Sequence, residues 1–182
     1  PIPVVLHLDH GKNFDSCKAA IEGGYTSVMI DGSELPVEEN IKLTKAVVNT
    51  AHACGVSVEA EIGHVGGRAD DTVKEDVYTT VEEANLFYKK TGVDMLAVSI
   101  GTTHGVYLKK PKLNFDRISE LNKNISIPLV MHGGSGLTPG DYIECAKRGI
   151  TKINFATYMF MEGGKYIKET LEKNADKPAE FN

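Results

Sequence analysis

The most restrictive feature of this sequence is a recurring short apolar run: Val4 to Leu8, Ser27 to Ile30, Val56 to Ala60, Met95 to Ser99, Pro128 to Met131 and Lys152 to Phe155. These runs are rich in β-branched residues and nearly continuous in hydrophobicity, which fits parallel strands covered on both faces better than half-exposed antiparallel ones. Between them stand amphipathic stretches of helical length. Glu38 to Ala53 puts Ile41, Val48 and Ala51 on one side, starts beside Pro36 and stops at Gly55. Thr80-Val81-Glu82-Glu83 spells a capping box for a helix running through Ala84, Leu86 and Phe87 to Gly92. Weaker helical patterns cover Asp15 to Ile21, Phe115 to Leu121, Asp141 to Arg148 and Met159 to Leu171. No linker, low-complexity tract or charge run divides this β-α alternation, so a single domain over residues 1–182 is expected.

Two architectures alternate in this way. A doubly wound nucleotide-binding sheet carries G-x-G-x-x-G after its first strand, and that motif is absent. A TIM (β/α)8 barrel instead places reactive groups at the C-terminal ends of several strands, which is the pattern here. A closed barrel has eight strands and about 250 residues, whereas six strands are legible in 182 residues. The chain is therefore expected to carry strands three to eight and to lack the first two.

Composition removes several function classes. With 41% hydrophobic residues the chain can bury a core, and a net charge of −5 with acids and bases interleaved leaves no basic stripe for nucleic acid or an anionic membrane. No apolar run approaches the roughly 20 residues of a spanning helix, and Pro1-Ile2-Pro3-Val4-Val5-Leu6 lacks the charged start of a signal peptide, so a cytoplasmic location is expected. Cys17, Cys54 and Cys145 are odd in number, widely spaced and free of any C-x-x-C pairing. Disulfide scaffolds and cysteine metal sites drop out, and all three thiols are expected to be buried apolar fillers.

The chemistry collects at strand ends. Strand ends with His-Gly recur three times, as Asp9-His10-Gly11, His104-Gly105 and His132-Gly133. A single histidine is ordinarily a core or surface residue, but three converging on one barrel mouth form a catalytic zinc set with an open coordination position. Asp9 stands beside a ligand yet outside the metal shell, as a general acid/base should, the alternative being a carboxylate that only orients a histidine. His7 reads as a supporting residue, and His52 as ordinary surface or packing. Glu59 and Glu61 alternate onto one side of their strand, facing the interior; Glu61, nearer the mouth, assists the metal, while Glu59 makes an internal polar contact. Lys152 begins its strand and is expected to point away from the mouth, consistent with metal rather than Schiff-base chemistry. The turns His132-Gly133-Gly134-Ser135-Gly136 and Asn154-Phe155-Ala156-Thr157 offer backbone amides and a helix start suited to a phosphate, although such glycines also simply end strands. The polar segment His64 to Val77 reads as an active-site loop or a plain solvent loop.

Taken in order, Leu6-His7-Leu8-Asp9-His10-Gly11, Glu59-Ala60-Glu61-Ile62-Gly63, Gly66-Gly67, Gly101-Thr102-Thr103-His104-Gly105, His132-Gly133-Gly134-Ser135-Gly136 and Lys152-Ile153-Asn154 resemble the class II, metal-dependent ketose-bisphosphate aldolases. The resemblance implies a TIM barrel that reversibly cleaves a fructose- or tagatose-like ketose 1,6-bisphosphate into dihydroxyacetone phosphate and an aldehyde such as glyceraldehyde 3-phosphate. By the same resemblance His10, His104 and His132 bind Zn2+, Asp9 moves the proton of the substrate hydroxyl, and Glu61 marks an alternative metal position. Gly105, Gly133, Gly134, Ser135, Asn154, Ala156 and Thr157 would hold dihydroxyacetone phosphate, with a monovalent cation (Na+ or K+) nearby and a homodimer or homotetramer as the assembly. The chain departs from the family at Ala69, where a loop glutamate is usual, and at Tyr158, where an acidic residue is common. Two other readings are a metal-dependent barrel hydrolase, which has little need of a phosphate cradle, and a non-catalytic aldolase-like subunit.

Overall fold

The structure is a computed structural model that describes residues 2–63, 78–107 and 111–174. Strands and helices alternate as β1 (His7–Gly11), α1 (Phe14–Glu22), β2 (Ser27–Ile30), α2 (Val37–Ala53), β3 (Ser57–Ile62), α3 (Val81–Thr91), β4 (Met95–Val98), α4 (Phe115–Asn124), β5 (Leu129–Met131), α5 (Pro139–Arg148), β6 (Ile150–Ile153) and α6 (Thr157–Lys173). All six strands are parallel and lie in chain order β1-β2-β3-β4-β5-β6. A doubly wound sheet reverses its strand order partway; a sheet that always advances to the next neighbour is singly wound, the order of a (β/α)8 barrel. The described residues thus form part of a TIM barrel.

Local chemistry sets the helix boundaries. Reciprocal capping boxes start α1 (Asn13 with Ser16), α3 (Thr80 with Glu83) and α5 (Thr138 with Asp141, followed by Pro139), and Gly92 ends α3 in a left-handed conformation with φ 74°. Alternation along the strands then sorts side chains into two layers. Val28, Ile30, Val58, Ala60, Leu96, Val98, Leu129 and Met131 join Ala51, Phe87, Ile118 and Leu121 in the core under the helices. Met29, Glu59, Glu61, Ala97 and Val130 are equally buried but face the other way, into the barrel. Their register makes layers, with Met29 opposite Glu59, and Glu61, Ala97, Val130 and Lys152 in successive opposition.

Four expectations need correction. β1 begins at His7, not Val4: Val4, Val5 and Leu6 have exposed side chains, and among the described residues only Leu6 of the three reaches the neighbouring segment, its carbonyl accepting from the Thr26 and Ser27 amides at 3.1 and 3.2 Å. β6 spans Ile150–Ile153, two residues earlier than its apolar pattern suggests, so Phe155 falls outside it. Lys152 is consequently the third residue of β6 and faces inward, opposite Val130, after a register irregularity between Leu129 and Val130. Cys17 and Cys145 are buried, but Cys54 caps the end of α2 and is exposed. Among the described residues, no helix is long and apolar enough to cross a membrane.

Candidate metal and substrate site

Asp9 and His10 at the end of β1, Asp31 just past β2, Glu61 near the end of β3, His104 in the segment after β4, His132 just past β5 and Asn154 just past β6 all lie at the same end of the sheet. Two backbone features bring the imidazoles together. His10 is the one non-glycine residue with positive φ among the described residues, at 49°, a conformation that costs about 1–3 kcal/mol and persists only when its surroundings fix it. The fixing bonds are Asp31 Oδ2 to His10 Nδ1 at 2.7 Å and the His10 amide donating to Met29 Sδ at 3.4 Å. Gly133, with φ 69°, lets β5 close on the segment carrying His104: a Cβ there would stand 2.8 Å from the Thr103 carbonyl carbon.

The rings of His10, His104 and His132 meet edge to face, with centroids 5.0, 4.7 and 5.7 Å apart. One ring nitrogen from each lies within 4.8 Å of the others. His10 Nε2 and His132 Nδ1 face each other at 3.0 Å. Their opposite nitrogens are held by carboxylates, His10 Nδ1 by Asp31 and His132 Nε2 by Glu59 Oε1 at 2.8 Å. A carboxylate on the far nitrogen fixes the proton there and turns the near nitrogen into a lone-pair donor. His104 Nε2 is buried and has no hydrogen-bond partner. Burial, then the neighbouring charges of His10 and His132, lower the His104 pKa to about 4, so this ring is neutral at neutral pH.

Converging lone pairs and an orphaned buried nitrogen fit a bound cation. Imidazole nitrogens on one tetrahedral ion, each about 2.0–2.1 Å from it, lie about 3.3 Å apart. The supporting carboxylates are set for the task. Burial opposes ionisation of Asp31, but its bonds from His10 and Ser33 outweigh that and hold its carboxyl well below the usual range. The bond to Asp31 in turn raises the His10 pKa against the effect of burial. Glu59, wholly buried, behaves as Asp31 does, with His132 and Lys152 outweighing desolvation. His10, Asp31 and Glu61 form a second group whose ligand atoms lie within 4.8 Å of one another.

Asp9 is exposed at the rim, free to meet a substrate, and accepts a bond from Asn154 Nδ2 at 2.9 Å. Lys152 reaches the same network, with Nζ 2.7 Å from Asn154 Oδ1 and 2.8 Å from Glu59 Oε2. His7 supports it from below, bonded to Ser27 Oγ at 2.8 Å and 3.7 Å from Glu59 Oε2. His52 pairs with Asp94 on the surface at 2.9 Å.

The glycine turn after β5 is stitched to the end of β6. The Gly134 amide donates to the Asn154 carbonyl at 3.0 Å. Buried Ser135 turns its hydroxyl oxygen to the Ala156 amide at 3.2 Å and the Tyr158 amide at 3.5 Å, where α6 begins with Thr157. The Tyr107 hydroxyl donates to the Gly133 carbonyl at 2.7 Å, and the Tyr142 hydroxyl donates to the Gly134 carbonyl. Gly105 borders open space, with nothing within 4 Å of where a Cβ would stand. On the other flank a cavity of about 410 Å³ is lined by His10, Lys12, Asp31, Gly32, Glu34 and Leu35. The segment from His64 to Val77, with Gly66, Gly67, Ala69, Asp70 and Asp71, lies outside the described residues.

Sequence reasoning overlooked Asp31 and Tyr107 and turned Lys152 away from the site. Asp31 had a signal, since an acid one step past an all-apolar run is the same strand-end rule that flagged Asp9. Lys152 had one as well, two residues before Asn154 and therefore on its face of the strand.

Comparison with known proteins agrees with this geometry. The family described as fructose-bisphosphate aldolase class-II matches residues 1–181. The chain is 45% identical over 176 residues to a fructose-bisphosphate aldolase of Staphylococcus epidermidis, a match covering 96% of this chain and 62% of the relative. It is 46% identical over 174 residues to a fructose-bisphosphate aldolase of Geobacillus stearothermophilus, covering 95% and 61%. The crystal structure of the YdjI aldolase from Escherichia coli superposes with a TM-score of 0.81 at 37% identity, covering 97% of this chain and 61% of that one. The chain thus spans about three fifths of the length of these relatives. With nearly all of its own residues matched and the strand-end imidazoles in place, the chain belongs to the class-II fructose-bisphosphate aldolase family.

Proposed function

We propose that this chain supplies the metal and proton-transfer site of a zinc-dependent aldolase. In this reading it cleaves a ketose 1,6-bisphosphate, fructose- or tagatose-like, to dihydroxyacetone phosphate and an aldehyde such as glyceraldehyde 3-phosphate. The observation that carries it is the neutral, buried and otherwise unpartnered His104 Nε2 among the nitrogens of His10 and His132, with the Asp9 carboxylate at the same rim. When bound by His10, His104 and His132, Zn2+ supplies Lewis-acid polarisation of the substrate carbonyl.

The chain's own groups do the rest. Asp9 accepts the proton of the substrate's C4 hydroxyl as the C3–C4 bond breaks; the oxygen left behind becomes the aldehyde carbonyl, and the electron pair of the broken bond passes toward the ketone oxygen. C3 then takes up a proton to give dihydroxyacetone phosphate. Asn154 keeps Asp9 oriented. The Gly133, Gly134 and Ser135 turn, Gly105, and the α6 start at Ala156 and Thr157 receive the phosphate, where helix amides and dipole favour an anion. Glu61 belongs to an alternative metal position with His10 and Asp31. A Na+ or K+ ion beside the phosphate, a homodimer or homotetramer, and a cytoplasmic location complete the reading.

The test is exchange of the C3 proton of dihydroxyacetone phosphate with solvent, which needs no knowledge of the aldehyde. Exchange that a chelator removes and zinc restores is expected; no exchange by the zinc-saturated protein overturns the aldolase reading.

A further inference from the structure

Lys152 is the charged side chain of the inner layer for which the aldolase reading has no task. It stands on β6 opposite Val130, its ammonium 2.8 Å from Glu59 Oε2 and 2.7 Å from Asn154 Oδ1. Glu59 is wholly buried, and its other oxygen meets His132 Nε2 at 2.8 Å. Asn154 passes the chain of contacts on, from Nδ2 to Asp9 Oδ1 at 2.9 Å.

The chemistry gives each link a direction. An ammonium only donates and an ionised carboxylate only accepts, whereas an amide has one end of each kind. Between Lys152 and Asp9 the Asn154 amide therefore has one acceptable orientation, oxygen to the lysine and NH2 to the aspartate. Turned over, it would set NH2 against the ammonium and its oxygen against the carboxylate, losing two charge-assisted bonds at once. Lys152 itself has little freedom, because leaving would strand the buried Glu59 oxygen without its cation. One buried carboxylate thus serves both halves of the site: Oε1 orients the imidazole of His132, and Oε2 anchors the lysine that orients the amide.

We propose that Lys152 is a positioning residue: anchored on buried Glu59, its ammonium locks the Asn154 amide so that Asn154 holds the Asp9 carboxylate at the rim of the imidazole cluster. The catalytic value of this lock rests on the aldolase reading, but the lock is a property of the ligand-free fold and is tested without metal or substrate.

The test follows the Asn154 side-chain amide in 15N–1H spectra, assigned by its loss in Asn154→Ala. In the unsubstituted chain the amide is expected to exchange slowly with solvent and to shift on Asp9→Asn. In Lys152→Met, exchange should be roughly tenfold faster, the equivalent of one lost hydrogen bond, and the response to Asp9→Asn should vanish. Lys152→Arg, which keeps the cation and its donors, should restore both. Because Lys152→Met leaves a buried carboxylate without its cation, the double variant Lys152→Met/Glu59→Gln is measured alongside, with far-UV circular dichroism to establish its fold. An Asn154 amide that stays slow and coupled to Asp9 in both variants overturns the proposal. Turnover is read separately: Lys152→Met should lower kcat for cleavage of the ketose bisphosphate roughly 10- to 100-fold, with zinc stoichiometry unchanged. An inactive zinc-loaded parent would refute the aldolase reading, while the amide spectra would still decide the lock.

Discussion

Asp31 is the place where a change of a single atom should most clearly alter metal binding. Its Oδ2 holds His10 Nδ1 at 2.7 Å, while Oδ1 accepts from the Ser33 amide at 3.1 Å and the Ser33 hydroxyl at 2.7 Å. Asp31→Asn preserves shape. If the amide oxygen stays on the two Ser33 donors, its NH2 must face His10 Nδ1. That nitrogen then has to accept, and the ring proton moves to Nε2, the nitrogen 3.0 Å from His132 Nδ1 and turned toward the cluster. The ligand is thereby blocked by a proton in the wrong place. Asp31→Ala removes the orienting bond without imposing the wrong tautomer, and also frees His10 to leave its strained φ of 49°. Loss of such a supporting carboxylate costs about 10- to 100-fold in metal affinity, or about 1.4–2.7 kcal/mol. The alanine variant is expected near the lower end of that range and the asparagine variant near the upper. Competition for zinc against a chromophoric chelator at pH 7.5 measures both, with circular dichroism as the control for folding. Zinc affinities of both variants within twofold of the parent would refute the tautomer argument, and an alanine variant weaker than the asparagine would refute the ordering.

Asp9→Ala should abolish cleavage of the ketose bisphosphate while leaving zinc stoichiometry intact, because Asp9 lies outside the imidazole cluster; surviving cleavage would remove it as the acid/base. Gly133→Ala brings a Cβ into the Thr103 backbone at a φ of 69°, so a stability loss of about 1–3 kcal/mol and weakened zinc binding are expected together in denaturant titrations and chelator competition. The thiols should separate in a labelling time course. Burial raises Cys17 and Cys145 to about 11, which leaves about one thiolate in a thousand at pH 8, whereas exposed Cys54 should react first and alone until denaturant is added.

The alternation of apolar runs and capped amphipathic stretches made the architecture legible, because each signal is local: a capping box such as Thr80 with Glu83 spans four residues and acts within them. The imidazole cluster was legible for a related reason. Parallel strands in sequential order must present their C-terminal ends together, so a residue type repeated at strand ends is gathered by topology alone, whatever the loops between. Register is a different quantity, since it is decided between strands. The irregularity between Leu129 and Val130 places Lys152 rather than Thr151 opposite Val130, and nothing within Ile150 to Ile153 announces it. Reading β6 two residues late therefore put Lys152 at the start of its strand, away from the mouth, and hid the network that joins Glu59 to Asp9. Polar residues inside the barrel could have exposed the error: Glu59 requires a buried counter-charge, and among the cations at late strands only Lys152 shares an inner face with Asn154. A buried carboxylate on an inward strand face is thus a demand for a partner, and the partner it demands fixes the register that apolar patterning leaves open.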